Sequence, residues 1–104
     1  MFVNNLDWKN FEKSLNEYQI VILGVGSENA ILNSFFCGSL MKLNRIIDKR
    51  WFVGMMDQEE YLKMKKIRLF PAILVYQNHQ LLQTIYGFKN YKRIYNELNI
   101  EKVA

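Results

Sequence analysis

Residues 67–87, IRLFPAILVYQNHQLLQTIYG, contain the only proline of the chain, Pro71. A proline cannot donate a hydrogen bond to a sheet ladder, so it belongs at the first residue of a strand or at a tight turn. Here it precedes the apolar run 72–76, and a second strand-like run, 81–86, follows the four polar residues 77–80. Because that connection is short enough for a hairpin, the stretch predicts two antiparallel strands.

The elements on either side are predicted from the spacing of apolar residues. After Gly87 the spacing becomes helical, and the last helix carries one apolar face: Tyr91, Ile94, Tyr95 and Leu98. At the other end of the chain, residues 2–3 fit a short edge strand, and Asp7 is the predicted N-cap of a first helix. Residues 19–23 are apolar without alternation, which is typical of a central parallel strand covered on both faces.

The middle of the chain predicts a long helix, a strand and a short helix. The long helix covers 27–48 with Ser27 as its cap. Its apolar positions recur three and four residues apart: Ile31, Leu32, Phe35, Phe36, Leu40, Leu43, Ile46 and Ile47. Residues 51–56 form the strand, and Asp57 begins a capping-box-like start to a helix that runs through Met64. The predicted order is β-α-β-α-β-α-β-β-α.

This order resembles the thioredoxin family, whose C-terminal half has a loop ending in a cis-proline, a hairpin, a glycine and a closing helix. Residues 67–72, IRLFPA, are similar to the family's I-R-G-I-P-T segment, residues 76–79 to its F-K-N-G turn, and Gly87 to its late glycine. The resemblance implies an α/β chain with a thioredoxin-like fold, a central mixed sheet of about five strands flanked by four helices.

Composition indicates one globular domain, residues 1–104. Half of the residues are apolar and 14% are aromatic, which excludes a disordered chain. No apolar run approaches the roughly 18 to 20 residues that span a bilayer, and the N-terminus does not resemble a signal peptide. A single cysteine forbids an internal disulfide and agrees with a reducing compartment. We therefore expect a cytoplasmic protein that does not insert into membranes.

Charge does not point to a particular partner. The net charge is +4, and the basic residues cluster in 42–50 and 63–68. Such clusters are usually solvated faces, so nucleic acid is not an expected partner.

Neither a metal site nor a cofactor site is expected. His79 stands alone at the hairpin tip, where it is expected to be a solvated turn residue, so no metal site is expected. Residues 24–30, GVGSENA, miss the dinucleotide fingerprint at its sixth place, and no cofactor is expected.

The resemblance also indicates what this chain lacks. In redox-active relatives the helix after the central strand opens with Cys-x-x-Cys, because a thiolate at a helix N-terminus is stabilised by the macrodipole and the unpaired N–H groups. The corresponding corner here, residues 26–32, reads GSENAIL and contains no cysteine. The buried acid and the tryptophan that often accompany the motif are also missing. We expect a scaffold that has lost dithiol redox chemistry.

Cys37 keeps one alternative open. It lies roughly 15 Å along the predicted helix from Ser27, too far for the helix terminus to activate its thiol. A small buried hydrophobic residue beside Phe36 is the simpler interpretation. The alternative is a monothiol thiol-disulfide oxidoreductase, or a glutathione-type transferase, that uses Cys37. It requires a helix that begins at Cys37.

The retained loops suggest a binding function. In the family, the residue before the cis-proline offers its backbone N–H and C=O to an extended peptide. By resemblance Phe70 holds that place beside Pro71. We therefore expect a non-catalytic protein-binding or accessory module whose partner polypeptide lies in a groove between two flanking loops. The expected groove residues are Ser27, Glu28, Asn29, Ala30, Phe70, Pro71, Gly87 and Phe88.

Overall fold

The computed structural model describes residues 4–65 and 70–100, which contain five strands and four helices. In chain order these are β1 (Asn4–Asn5), α1 (Trp8–Glu17), β2 (Ile20–Val25), α2 (Ala30–Ile46), β3 (Phe52–Met56), α3 (Gln58–Tyr61), β4 (Ala72–Gln77), β5 (Gln80–Tyr86) and α4 (Tyr91–Glu97). The predicted order of elements is confirmed. The edge strand predicted at 2–3 and the lead-in at 67–69 lie outside the described residues.

The strands form one mixed sheet with the order β1-β3-β2-β4-β5. β2 pairs in parallel with β3 and antiparallel with β4, and β5 pairs antiparallel with β4. β1 contributes only two residues, so four longer strands make up most of the sheet. Every residue of β2 is buried, as expected for the central strand that its continuous apolar run predicted.

The two faces of the sheet carry separate hydrophobic clusters, because successive side chains of a strand point to opposite faces. Along β2, Ile20 and Ile22 belong to the first cluster, together with α2 and α4 residues such as Phe36 and Ile94. Val21, Leu23 and Val25 belong to the second, which contains Phe11 from α1 and Tyr61 from α3. Helices therefore cover both faces of the sheet.

The start of α2 differs from the prediction. Asn29, not Ser27, is the N-cap, because the Asn29 amide oxygen accepts hydrogen bonds from the backbone N–H groups of Ile31 and Leu32. The prediction that Ser27 caps the helix was therefore wrong, and the helix spans Ala30–Ile46 instead of 27–48. Asp7, in contrast, caps α1 as predicted, with its side chain accepting from the N–H of Asn10.

α3 is shorter than predicted. It ends at Tyr61, three residues before Met64, and Asp57 makes no side-chain capping bond. The carboxylate expected to complete the capping box belongs to Glu60, and it is engaged elsewhere. Its oxygens accept from the backbone N–H of Trp8 at 3.1 Å and from the Lys63 ammonium at 2.8 Å. This bond between α1 and α3 replaces the predicted local one.

The hairpin between β4 and β5 turns on two residues, fewer than the four-residue connection predicted. Asn78 and His79 both have positive φ, 50° and 69°, the combination that matches a two-residue turn to the twist of its strands. Farther along the hairpin, Tyr76 pairs with Leu81 and Val75 pairs with Gln83. Leu82 is therefore an extra residue in β5, a β-bulge.

Candidate functional site

Three loops emerge side by side at one edge of the sheet. The strand register aligns Val25 at the end of β2 with Ala72 at the start of β4, and Ala72 with Tyr86 at the end of β5. The next residues outward are Gly26, Pro71 and Gly87. The Gly87 N–H donates to the Pro71 carbonyl at 2.8 Å. We call the loop residues 26–30, 70–71 and 87–88 the Pro71 edge. It contains all eight residues predicted for the groove.

The middle loop contains the peptide group of Phe70, which makes no hydrogen bond with the described residues. The bond between Phe70 and Pro71 is cis, Pro71 is buried, and the Phe70 side chain packs against the second hydrophobic cluster. Within residues 4–65 and 70–100, no hydrogen bond uses the backbone N–H or C=O of Phe70. An extended chain laid beside this loop could pair with those two groups as an added strand does.

The loop before α2 is held by its own side chains. The Ser27 N–H donates to the Asn33 amide oxygen at 2.9 Å, and the Ser27 hydroxyl accepts from the Asn29 N–H at 3.2 Å. Asn29 in turn satisfies two of the N–H groups at the start of α2. The amide oxygen of Asn29 thus occupies the position where a helix N-terminus would otherwise bind an anion.

Asn33 is a residue that sequence reasoning missed. It lies one turn into α2 and reaches back to the loop, so that its side chain packs directly against Gly26. A Cβ atom at Gly26 would overlap the Asn33 amide, so a larger residue there would displace the Asn33 side chain from the Ser27 N–H. Spacing alone did not reveal this contact, because an asparagine in a helix usually indicates only a solvated position.

The first turns of α2 present apolar side chains to solvent. Ile31 is 70% exposed and Phe35 is 62% exposed, although they belong to the same helically spaced apolar series as the buried Phe36. Leu32 and Phe88 are also exposed, and the Phe35 and Phe88 rings lie 6.2 Å apart. We call Ile31, Leu32, Phe35 and Phe88 the apolar ridge. It borders the Pro71 edge on the α2 side.

The charges near this edge are few and partly paired. Glu28 is exposed, and Lys89 is bound to Glu97 at 2.8 Å. On the side of α3, burial raises the pKa of Tyr61, and the neighbouring Tyr86 raises it further, so the Tyr61 phenol stays neutral at neutral pH. The surface is therefore suited to apolar contacts and backbone hydrogen bonds.

The lone thiol lies away from the Pro71 edge. α2 begins at Ala30, seven residues before Cys37, and Cys37 is half-buried against the first hydrophobic cluster. It therefore lies in the third turn of the helix, where the terminal N–H groups do not reach it. The helix start at Cys37 that the monothiol alternative requires is not observed.

Residues 4–65 and 70–100 offer neither a metal-binding cluster nor a helix that could cross a membrane. This part of the chain holds no group of three or more His, Cys, Asp or Glu residues that could bind a metal ion. Nor does any of its helices combine the length and apolar character needed to cross a membrane. His79 is exposed on the hairpin turn, at the end of β4 opposite Pro71.

Comparison with solved structures identifies the fold. A thioredoxin from Plasmodium falciparum superposes with a TM-score of 0.77 at 15% identity, over 90% of this chain and 94% of that chain. A mutant thioredoxin from Halobacterium salinarum gives 0.75 at 8% identity, over 91% and 86% of the two chains. The chain therefore has a thioredoxin-like fold, without a Cys-x-x-Cys motif because it contains one cysteine. No protein-family model and no curated protein sequence matches the chain.

Proposed function

We propose that this protein is a redox-inactive, thioredoxin-like binding module that holds an extended segment of a partner polypeptide along the Pro71 edge. The observation that carries the proposal is the apolar ridge of α2, exposed beside a loop whose peptide group at Phe70 has no hydrogen-bond partner among the described residues. Apolar side chains concentrated on one surface mark an interaction site when they are contiguous.

Two kinds of contact would act together. The N–H and C=O of Phe70 would form hydrogen bonds with the backbone of the bound segment. These bonds would fix the direction of the segment but would not discriminate between amino-acid sequences. Side chains that alternate along the segment would pack on Ile31 and Phe35, which supplies most of the affinity. Fully burying a side chain of this size contributes about 1.5–3 kcal/mol, and both residues have more than half of their surface available.

The absence of cysteine at residues 26–30 supports a role without electron transfer. Thiol-disulfide exchange needs a thiolate at the exchange position, and the only thiol of the chain lies in the third turn of α2. We expect no turnover in a disulfide-reduction assay with a generic substrate. The single cysteine also fits a reducing compartment such as the cytoplasm.

Peptide selection tests the proposal without knowledge of the natural partner. Peptides would be selected from a random display library on the native protein, and their affinities measured by isothermal titration. Substituting both Ile31 and Phe35 by serine should weaken binding roughly tenfold or more, because each loses an apolar contact. The matched control is Leu81→Ser, which removes a 53% exposed apolar side chain from β5.

Two further variants separate the loop from the thiol. Pro71→Ala should abolish capture, because it alters the loop that presents the Phe70 peptide group, whereas Cys37→Ala should leave affinity unchanged. Circular dichroism would establish that each variant is folded. Unchanged affinity in both the Ile31/Phe35 double variant and Pro71→Ala would show that the selected peptides do not bind at the Pro71 edge, which would contradict the proposal.

A monothiol enzyme is the second candidate: α2 does not begin at Cys37, but the thiol is only half-buried and not sealed in the core. The rate of alkylation by iodoacetamide as a function of pH distinguishes the two functions. A thiol that reacts rapidly below neutral pH would favour the enzyme. A thiol that stays inert until the protein unfolds would eliminate it.

A further inference from the structure

A cleft lies at the C-terminal end of α2, where no functional residue was predicted. It has a volume of about 520 Å³, within the range of small-molecule sites. Its lining residues come from the last turn of α2 and the connection to β3: Asn44, Arg45, Ile47, Asp48, Lys49 and Trp51. At 1.5 Å per residue, the 17 residues of α2 place this cleft roughly 25 Å from the Pro71 edge.

Part of the cleft wall belongs to a hydrogen-bonded turn, residues 48–51. The Trp51 N–H donates to the Asp48 carbonyl at 3.0 Å. The Asp48 carboxylate accepts from the Arg50 backbone N–H at 2.8 Å and from two guanidinium nitrogens of Arg50, at 3.0 and 2.7 Å. These bonds hold the pKa of Asp48 at about 2, so its charge is present and compensated at neutral pH. The turn thereby fixes Trp51 relative to α2.

Two cations of the cleft, Arg45 and Lys49, have no ion pair with any of the residues that the structure describes. Arg50, in contrast, is committed to Asp48. Arg45 lies in the last turn of α2, where it also offsets the partial negative charge of the helix terminus. The cleft therefore has an excess of positive charge on flexible side chains that can reach a bound anion.

The aromatic residue of the cleft, Trp51, packs on the core without a ring partner among the described residues. It is half-buried, and no cation of the described residues stacks on it. Lys42, by comparison, sits 5.7 Å over the Tyr91 ring. Trp51 lines the cleft together with Arg45 and Lys49, so a ligand in the cleft meets an aromatic contact and an anion contact at once.

We propose that this cleft binds a small anion that carries an aromatic ring, of the nucleoside monophosphate class. The ring packs on Trp51, and Arg45 and Lys49 contact the phosphate, with the guanidinium suited to paired bonds to its oxygens. The proposal is independent of peptide binding at the Pro71 edge, because the two sites lie at opposite ends of α2.

Titration with adenosine monophosphate, followed by nitrogen-15 NMR, tests the site. The chain has two tryptophans, and Trp8→Phe assigns their indole N–H signals. We expect a saturable shift of the Trp51 signal and none of the Trp8 signal, whose N–H is bound to the Glu60 carbonyl at 2.8 Å. Adenosine alone and inorganic phosphate alone should each bind roughly tenfold more weakly, because each supplies one contact.

The double substitution Arg45→Ala with Lys49→Ala should weaken binding of the monophosphate roughly tenfold or more. The matched control removes two positive charges elsewhere, at Lys9 and Lys92, and should leave the affinity unchanged. A Trp51 signal that does not respond, or equal affinity in the cleft and control variants, would overturn the proposal. Tight binding of a short oligonucleotide that the monophosphate cannot displace would also overturn it, in favour of a nucleic-acid surface.

Discussion

The ring of Phe35 meets the ring of Phe88 edge-on, with centroids 6.2 Å apart and planes inclined by 72°. This contact joins α2 to the loop after β5, two segments that are far apart in the chain. A pair of this geometry contributes about 0.5–1.5 kcal/mol beyond the area it buries, and less where the rings are exposed. The contact restrains two side chains of the apolar ridge, and such preorganisation would lower the entropy cost of the peptide binding proposed above.

The neighbours Phe35 and Phe36 should respond very differently to substitution by alanine. Phe36 is fully buried, so Phe36→Ala should lower the free energy of unfolding by about 3–5 kcal/mol through lost packing and a cavity. Phe35→Ala removes a mostly exposed ring and should cost about 1 kcal/mol or less. Urea denaturation measures both values. Comparable losses in the two variants would contradict the exposure of the ridge.

Substitutions at the start of α2 test which residue caps the helix. Asn29→Ala removes the oxygen that accepts from two backbone N–H groups and should destabilise the protein by about 1 kcal/mol. Ser27→Ala removes a single exposed bond to the Asn29 N–H and should cost roughly half of that or less. Thermal or urea unfolding gives the comparison. A larger loss of stability in Ser27→Ala than in Asn29→Ala would indicate that Ser27 is the N-cap, as the sequence predicted.

Two glycines offer a matched pair with opposite expected signs. At Gly24 an added Cβ would overlap Leu40 and lie 3.0 Å from Phe36, so Gly24→Ala should destabilise by about 1–3 kcal/mol. At Gly38, in the middle of α2, no atom lies within 4 Å of the added Cβ, so Gly38→Ala should stabilise by about 0.5–1 kcal/mol. Shifts in the urea midpoint measure both. Stabilisation by Gly24→Ala would contradict the close packing of Leu40 and Phe36 of α2 against Gly24 of β2.

The alkaline limit of stability should depend on Tyr76. Burial raises its pKa to about 12, with a smaller contribution from Tyr61, whereas a tyrosine in the unfolded chain has a pKa of about 10. Because the folded-state pKa is the higher one, the stabilisation is complete below pH 10 and is lost as the pH rises towards 12.

Tyr76→Phe removes this ionisation and should move the midpoint of alkaline unfolding to higher pH, as followed by circular dichroism. The control is Tyr95→Phe, a half-buried tyrosine on α4. Identical alkaline midpoints in the native protein and Tyr76→Phe would show that the Tyr76 phenol is solvated.

The order of elements could be predicted because it depends on local spacing. The continuous apolar run of β2, the helical spacing around Ile94 and the position of Pro71 each follow from backbone geometry and side-chain periodicity. Asp7 was predicted correctly as a cap because its bond to the Asn10 N–H is local in the sequence. These features need no information about the rest of the molecule.

The details of the candidate site could not be predicted in the same way, because they depend on contacts that the spacing of apolar residues does not reveal. Both Ser27 and Asn29 are residue types that cap helices. The structure favours Asn29, and the Ser27 N–H instead donates to the amide oxygen of Asn33. The spacing of Ile31 and Phe35 is helical whether or not another element covers them. A partial indication was present, since the same stripe of the helix continues into the polar residue Lys42.

The bulge at Leu82 has a consequence for molecules in concentrated solution. β5 is the outer strand of the sheet, and its exposed side chains include Leu81 and Tyr86. An outer strand that was straight and regularly paired would offer a template on which a second sheet could grow. The extra residue twists that strand locally, which discourages the indefinite stacking of one molecule's sheet onto the next.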